Sequence, residues 1–274
     1  MTGKANNMRF YELNGEVIGV PIPAVTNNPK TEAQMKQRIK MNNILNTYKY
    51  IKGYLQQNFE GIIGNKNASS FFRSYNLMKT PVWLSQTQKE SYKFVLAPYV
   101  MAQGRIPTVG YEFRDSVFVS DINIGSLEIN AETEESMLSS IICDSKEGWA
   151  NNDTLQIILL KQKRIGVSDE DIELPKCCSF IVTLDKASRT KICDIPVLES
   201  LSQLPRFSLC SVNGKLAVRV EDSEEYTYAF AVVHGRGQGR DKIVSSQQLC
   251  LSDNALYDSY CSKEAFDKAY KSYK

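Results

Sequence analysis

The apolar positions of this chain fall into two regimes. Between residues 31 and 80 they recur at the helical period. From about residue 94 to residue 251 they alternate or run together in stretches rich in Val, Ile, Tyr and Phe. The clearest helical stretch is 31–57. Asn27, Asn28 and Pro29 form a turn-prone entry, and Thr31 with Gln34 three residues on makes a capping box. No Gly or Pro interrupts the chain until Gly53. From Met41 onward the apolar residues Met41, Ile44, Leu45, Tyr48, Ile51 and Leu55 form one stripe. Burying six such side chains is worth on the order of 10–15 kcal/mol before entropy is charged against it. Met35 and Ile39 lie off that stripe, among Lys36, Arg38 and Lys40. The plain reading of this spacing is a basic, solvated helix start with incidental Met and Ile; the sharper one is a protruding end that packs on a neighbouring subunit.

A second helix is predicted over 66–79, with Phe71, Phe72, Tyr75 and Met78 on one face, as partner to the first. Before both, Asn14-Gly15 between two strand-like runs in 9–20 marks a β-hairpin. Strands are expected at 94–103, 116–124, 154–163, 177–184, 206–212, 215–220, 226–234 and 242–251. Asn213-Gly214 joins one pair of them and the loop 235–240 another. Helices are expected at 132–142 and 262–273. The fold class is therefore α+β: an N-terminal β-hairpin and helical hairpin, then a mainly antiparallel β-sandwich with an inserted helix and a C-terminal helix. Residues 1–80 and 81–274 are the expected regions, and packing as one unit stays open.

Composition is ordinary for a globular chain of 274 residues, 42% hydrophobic and 23% charged. The net charge of +2 hides a pattern. Residues 1–111 hold 14 Lys/Arg against 5 Asp/Glu, net +9; residues 112–173 hold 5 against 14, net −9. Equal and opposite blocks favour docking of one lobe or subunit on another over nucleic-acid binding, which would leave its basic charge uncompensated. The opening residues lack the apolar core of a signal peptide and no apolar run approaches a membrane span, so synthesis in a cytoplasm is expected. Seven cysteines, an odd count without a C-x-x-C pair, read as reduced small hydrophobes, and no metal is expected.

Candidate chemistry is sparse. His234 is the only histidine and would have to serve any Ser–His or Cys–His pair, but no Gly-x-Ser-x-Gly elbow accompanies it. The loop Gly235-Arg236-Gly237-Gln238-Gly239-Arg240 invites comparison with a phosphate cradle, yet no helix and no Gly-Lys-Ser/Thr follows. It reads as a hairpin loop whose Arg236, Arg240 and Lys242 can meet phosphates or a partner's carboxylates. Asp169, Glu170, Asp171 and Glu173 lack the spacing of a calcium loop and read as a solvated acidic turn. No catalytic residue, metal or cofactor is assigned.

Two stretches carry a resemblance. Residues 11–15, Tyr-Glu-Leu-Asn-Gly, followed by Asn28-Pro29-Lys30-Thr31-Glu32-Ala33-Gln34-Met35-Lys36-Gln37-Arg38, resemble the opening of a family from Bacteroidota and their phages, which has an Asn-Pro-x-Thr-x-x-Gln-x-x-x-Arg helix start. Residues 228–233 and 244–249 and the helix ending Ser272-Tyr273 are similar to its C-terminal β-domain. Related chains occur among virion structural proteins of crAss-like, short-tailed phages. The resemblance covers about the first 80 and last 50 residues and brings no catalytic residues. It implies a non-enzymatic structural or assembly component of a phage virion, a portal or tail ring protein or a head-decorating one. Other virion proteins or further copies of the chain would be its partners, with no membrane involved. Met35, Lys36, Arg38, Ile39, Lys40, Arg236 and Arg240 are the expected partner interface. The sandwich and the basic loop also fit a binding module for polysaccharide or nucleic acid, in which Trp83 or Trp149 would be the stacking platform.

Overall fold

The computed structural model describes residues 3–5, 8–13, 15–22, 30–55, 57–61, 68–145, 148–164, 172–195, 197–199, 208–221 and 224–273. Two compact units emerge, Met1–Met35 and Lys36–Lys274. The boundary falls in the first turn of the long helix and not near residue 80, because residues 36–80 bury their apolar side chains in the same core as the sheets that follow.

The first unit holds a three-stranded antiparallel meander, β1 (Gly3–Ala5), β2 (Met8–Leu13) and β3 (Glu16–Pro21), in that order. Leu13 pairs with Glu16 across the predicted hairpin, and Gly15 takes a positive φ there; Asn14 lies outside the described residues. Phe10 pairs with Gly19, whose missing side chain leaves room for the Phe10 ring.

The long helix, α1 (Glu32–Ile51), starts as predicted: the Thr31 hydroxyl accepts from the Gln34 amide at 3.4 Å and the Thr31 carbonyl from the Met35 amide at 2.9 Å. It ends at Ile51 and tightens into a 3-10 turn, Lys52–Tyr54, around Gly53, six residues short of the expected end. Next come α2 (Ala68–Asn76), α3 (Gln86–Glu90), β4 (Val100–Ala102), β5 (Tyr111–Arg114), β6 (Val117–Asn123), α4 (Glu135–Asp144), β7 (Thr154–Lys163) and β8 (Lys176–Thr183). The chain finishes with β9 (Val197–Glu199), β10 (Ser208–Val212), β11 (Lys215–Arg219), β12 (Tyr226–Arg236), β13 (Ile243–Val244), β14 (Gln247–Gln248), β15 (Cys250–Leu251), α5 (Ala255–Cys261) and α6 (Lys263–Ser272).

Three layers build the second unit. The middle layer is a sheet of order β13-β12-β7-β8-β9, with β15 also on β12. Its backbone is the pairing of β7 with β12, unbroken from Thr154–Gly235 to Lys163–Tyr226. On one side lies the sheet β10-β11-β6-β5. Phe118, Ile122, Leu216 and Val218 from that sheet share a core with Leu155, Ile157, Leu159, Tyr228, Phe230 and Val232, and the Phe118 and Phe230 rings stack at 5.0 Å. This is the sandwich the sequence predicts. On the opposite side Ile158, Leu160, Ala229, Ala231 and Val233 pack against Ile44, Ile51 and Leu55 of α1 and its end, Phe72 of α2 and Tyr260 of α5. Burial on both faces explains why β7 reads as an almost continuous apolar run. α1 and α2 meet where Tyr48 packs on Phe72, 5.8 Å between rings. α2 ends at Asn76, short of the expected 79, and Met78 falls beyond it, exposed; residues 66 and 67 of the expected range lie outside the described residues.

Segment 94–103 departs most from expectation: only Val100–Ala102 forms a strand. Side-chain amides take the place of a ladder. The Leu96 amide donates to Gln162 Oε1 at 2.8 Å and Gln162 Nε2 donates to the Phe94 carbonyl at 2.8 Å. The Val100 amide donates to Asn76 Oδ1 at 2.7 Å. The expected strand 242–251 is likewise cut into three short ones. α3 escaped the sequence reading although Ser85 and Gln88 form a complete capping box at its start.

Candidate functional site

The last residues of β12 place side chains alternately on the two faces of the middle sheet. His234 and Arg236 face the sandwich side, following Tyr228, Phe230 and Val232 in the same alternation. Opposite them, Asp153 sits just before β7. His234 Nε2 and Asp153 Oδ2 are 2.7 Å apart, Arg236 Nη2 donates to the same oxygen at 2.7 Å and Arg236 Nε donates to Oδ1 at 2.8 Å. The Ala150 amide donates to Oδ2 at 2.9 Å, and Arg236 Nη2 also reaches the Gly148 carbonyl at 2.5 Å. Asp153 is 1% exposed and His234 3%. Trp149 stacks on the imidazole at 3.8 Å. The Ser245 hydroxyl accepts from the His234 amide at 3.0 Å.

Burial pushes the Asp153 carboxyl up, but the hydrogen bonds from Arg236, His234 and the Ala150 amide outweigh it and bring it down to about 2. The same contact holds the Arg236 guanidinium above its ordinary value. The carboxylate therefore stays ionised and saturated, and the cluster fastens the 148–153 turn to the end of β12. His234 and Trp149 also border a cleft of about 490 Å³ with Thr108, Asp121, Asn123 and Lys215. A second cleft of about 320 Å³ lies on the opposite face of the same strand end, beside the glycine loop.

The predicted interface residues do not form one surface. Ile39 is 0% exposed, enclosed by Trp83, Ala265, Phe266 and Ala269, and Met35 is 4% exposed. These two apolar residues are not available to a partner: Ile39 is already spent on α6. Lys36 lies 5.9 Å from the Trp83 ring and 5.7 Å from Phe266, and Lys40 lies 5.6 Å from Trp83. Burial, then the charge of Lys36, lowers the Lys40 ammonium from its ordinary value. Arg38 is exposed. Arg236 is committed to Asp153, and the Arg240 side chain lies outside the described residues. Trp83 is buried, its indole N–H donating to the Cys261 carbonyl at 3.1 Å, so Trp149 is the tryptophan that borders a cleft. Asp169, Glu170 and Asp171 lie outside the described residues; Glu173 is exposed, 3.8 Å from Lys163. Cys177 and Cys178 are buried, and burial pushes the Cys177 thiol up. Among the described residues no group of three His, Cys, Asp or Glu side chains is placed to hold a metal ion, and no helix is long and apolar enough to cross a membrane.

Sequence reading missed two things. Asp153 pairs with His234 from 81 positions away, and no local motif announces that pair. The other is the apolar exposure of the N-terminal sheet. Ten large apolar side chains are exposed among the described residues, and five of them fall between Met8 and Ile22: Met8, Tyr11, Val17, Val20 and Ile22. By register Tyr11 and Val20 share one face while Met8 and Val17 share the other. No protein-family profile, curated protein or solved structure matches the chain.

Proposed function

We propose that the protein is a non-enzymatic structural and assembly component of a phage particle, made in the cytoplasm of the bacterial host and docked on other virion proteins or on copies of itself as a portal or tail ring or a head-decorating part. The observation that carries this reading is the N-terminal sheet. Its three strands carry exposed apolar side chains on both faces, Val17 at 60% exposure among them, and an exposed apolar patch of this kind marks a docking surface. A docked partner would bury those side chains. The resemblance to virion structural proteins points the same way. So does the use of His234, Asp153 and Arg236 as a fastener between two turns.

The test is the mass of the intact chain at low and high salt, with and without Val17→Asp and Val20→Asp, one on each face of the sheet. A discrete oligomer that the double variant cannot form, at an unchanged melting temperature of the main body, is the expected result. A chain that stays monomeric at every salt and protein concentration removes the ring reading. A second reading, a polysaccharide-binding module, is favoured by Trp149 at the mouth of a polar cleft. Retention on immobilised glycans that Trp149→Ala abolishes would select it instead.

A further inference from the structure

Lys242 follows the glycine loop and folds back over the end of β12. Gly235 makes this approach possible. A Cβ there would stand 2.6 Å from Thr154 Oγ1 and 3.0 Å from Lys242 Cε. With no side chain at 235 the lysine stem crosses the strand and its ammonium borders the cleft of about 320 Å³ on the helical face of the sheet. Gln57, Thr154, Gln156, Gly237, Gln238 and Gly239 contribute to its walls. Lys242 is the one charged side chain among the described residues that line it.

Burial lowers the Lys242 ammonium from its ordinary value, and among the described residues no charge contributes to that shift. A cation drawn out of water without a counter-charge is unfavourable and is relieved by an anion. Arg236 does not compete for that anion in this cleft. Arg236 points to the opposite face and is held by Asp153. Gly237 and Gly239, both at positive φ (79° and 60°), border the cleft without side chains that would fill it.

We propose that this cleft is a binding site for a small anion, a phosphate or carboxylate group, held by the Lys242 ammonium with the glycine loop and the Gln57 and Gln238 amides around it. The residues of this site all belong to the second unit and none is used in the assembly argument, so it stands or falls independently of that role. It also differs from a phosphate-binding helix start: its positive charge comes from one side chain that a glycine lets through, not from a helix dipole.

The test compares sodium phosphate and sodium acetate with sodium chloride at equal ionic strength, reading melting temperature and calorimetric binding on the full chain. Lys242→Met keeps the stem and removes the charge. The expected result is a rise in melting temperature with phosphate or acetate over chloride, and binding weakened roughly tenfold or more in Lys242→Met. In chloride alone that variant melts no lower than the parent, since an unpaired, partly desolvated charge has been removed. A response to phosphate alone assigns a phosphate ester, and a response to both assigns any compact oxyanion; each supports the site. No gain over chloride, or equal binding by the variant, overturns it. If Lys242→Met does not fold, Lys242→Gln carries the same comparison.

Discussion

At Ile39 a side chain with no exposure is walled in by Trp83, Phe266 and two alanines of α6. Ile39→Asp would place a carboxylate among these apolar side chains, at a cost of about 3 kcal/mol. Urea unfolding should show the loss, whereas Lys36→Gln on the exposed side should change stability by less than about 1 kcal/mol. Helical periodicity identified the Ile44–Tyr48–Ile51 stripe but not this contact, because a period argument assumes one buried face. α1 is gripped on two sides, by the sheet and by α6. Asp153 sets a second expectation at this scale. Its folded value, about 2, lies below its ordinary 3.8, so its stabilisation is fully present above the ordinary value and is lost as pH falls through the folded one. The advantage of the parent over Asp153→Asn should shrink by roughly 2 kcal/mol between about pH 5 and pH 2. A pH-independent difference would show that the carboxylate is not held as described.

Among the elements, the amide of Gln162 governs the irregular segment it faces. It meets the Leu96 amide and the Phe94 and Glu173 carbonyls at 2.8, 2.8 and 2.9 Å. Gln162→Leu leaves these three groups, two of them buried, to find other partners. We expect a loss of about 2–4 kcal/mol, measured by chemical denaturation, against a near-neutral effect of Lys163→Gln on the same strand. This interaction also explains why segment 94–103 misled the sequence reading. Its composition is that of a buried strand, and burial is what the structure delivers, but the hydrogen bonds go to side chains distant in sequence. Elements whose signals are local were legible. Asn213 and Gly214 both take positive φ, 51° and 74°, between the paired Val212 and Lys215, the turn that Asn-Gly foretells. α4 and α6 fall within a few residues of their expected ranges. α3, only five residues long, is too short to show a period and was visible only through its cap.

At the scale of the molecule, the charge blocks acquire partners inside the chain. The acidic segment reaches forward: Asp144 pairs with Lys186 at 2.7 Å, Glu132 with Lys191 at 2.6 Å and Asp153 with Arg236. Part of the −9 block is thereby neutralised by residues of the last third, and exposed pairs of this kind contribute little to stability. Salt should therefore affect association more than melting temperature, which a melting series over ionic strength checks directly. The pairing of β7 with β12 has a consequence for how the chain is born. The nearest paired residues, Lys163 and Tyr226, are roughly sixty positions apart. A ribosome therefore releases β7, apolar on both faces, long before the strand that covers its edge exists. During that interval Leu155, Ile158 and Leu160 stand open to chaperones and to other nascent chains. A chain stopped at residue 225 should collect in the insoluble fraction while the full-length chain does not, so translation past β12 is the step that commits this protein to its fold.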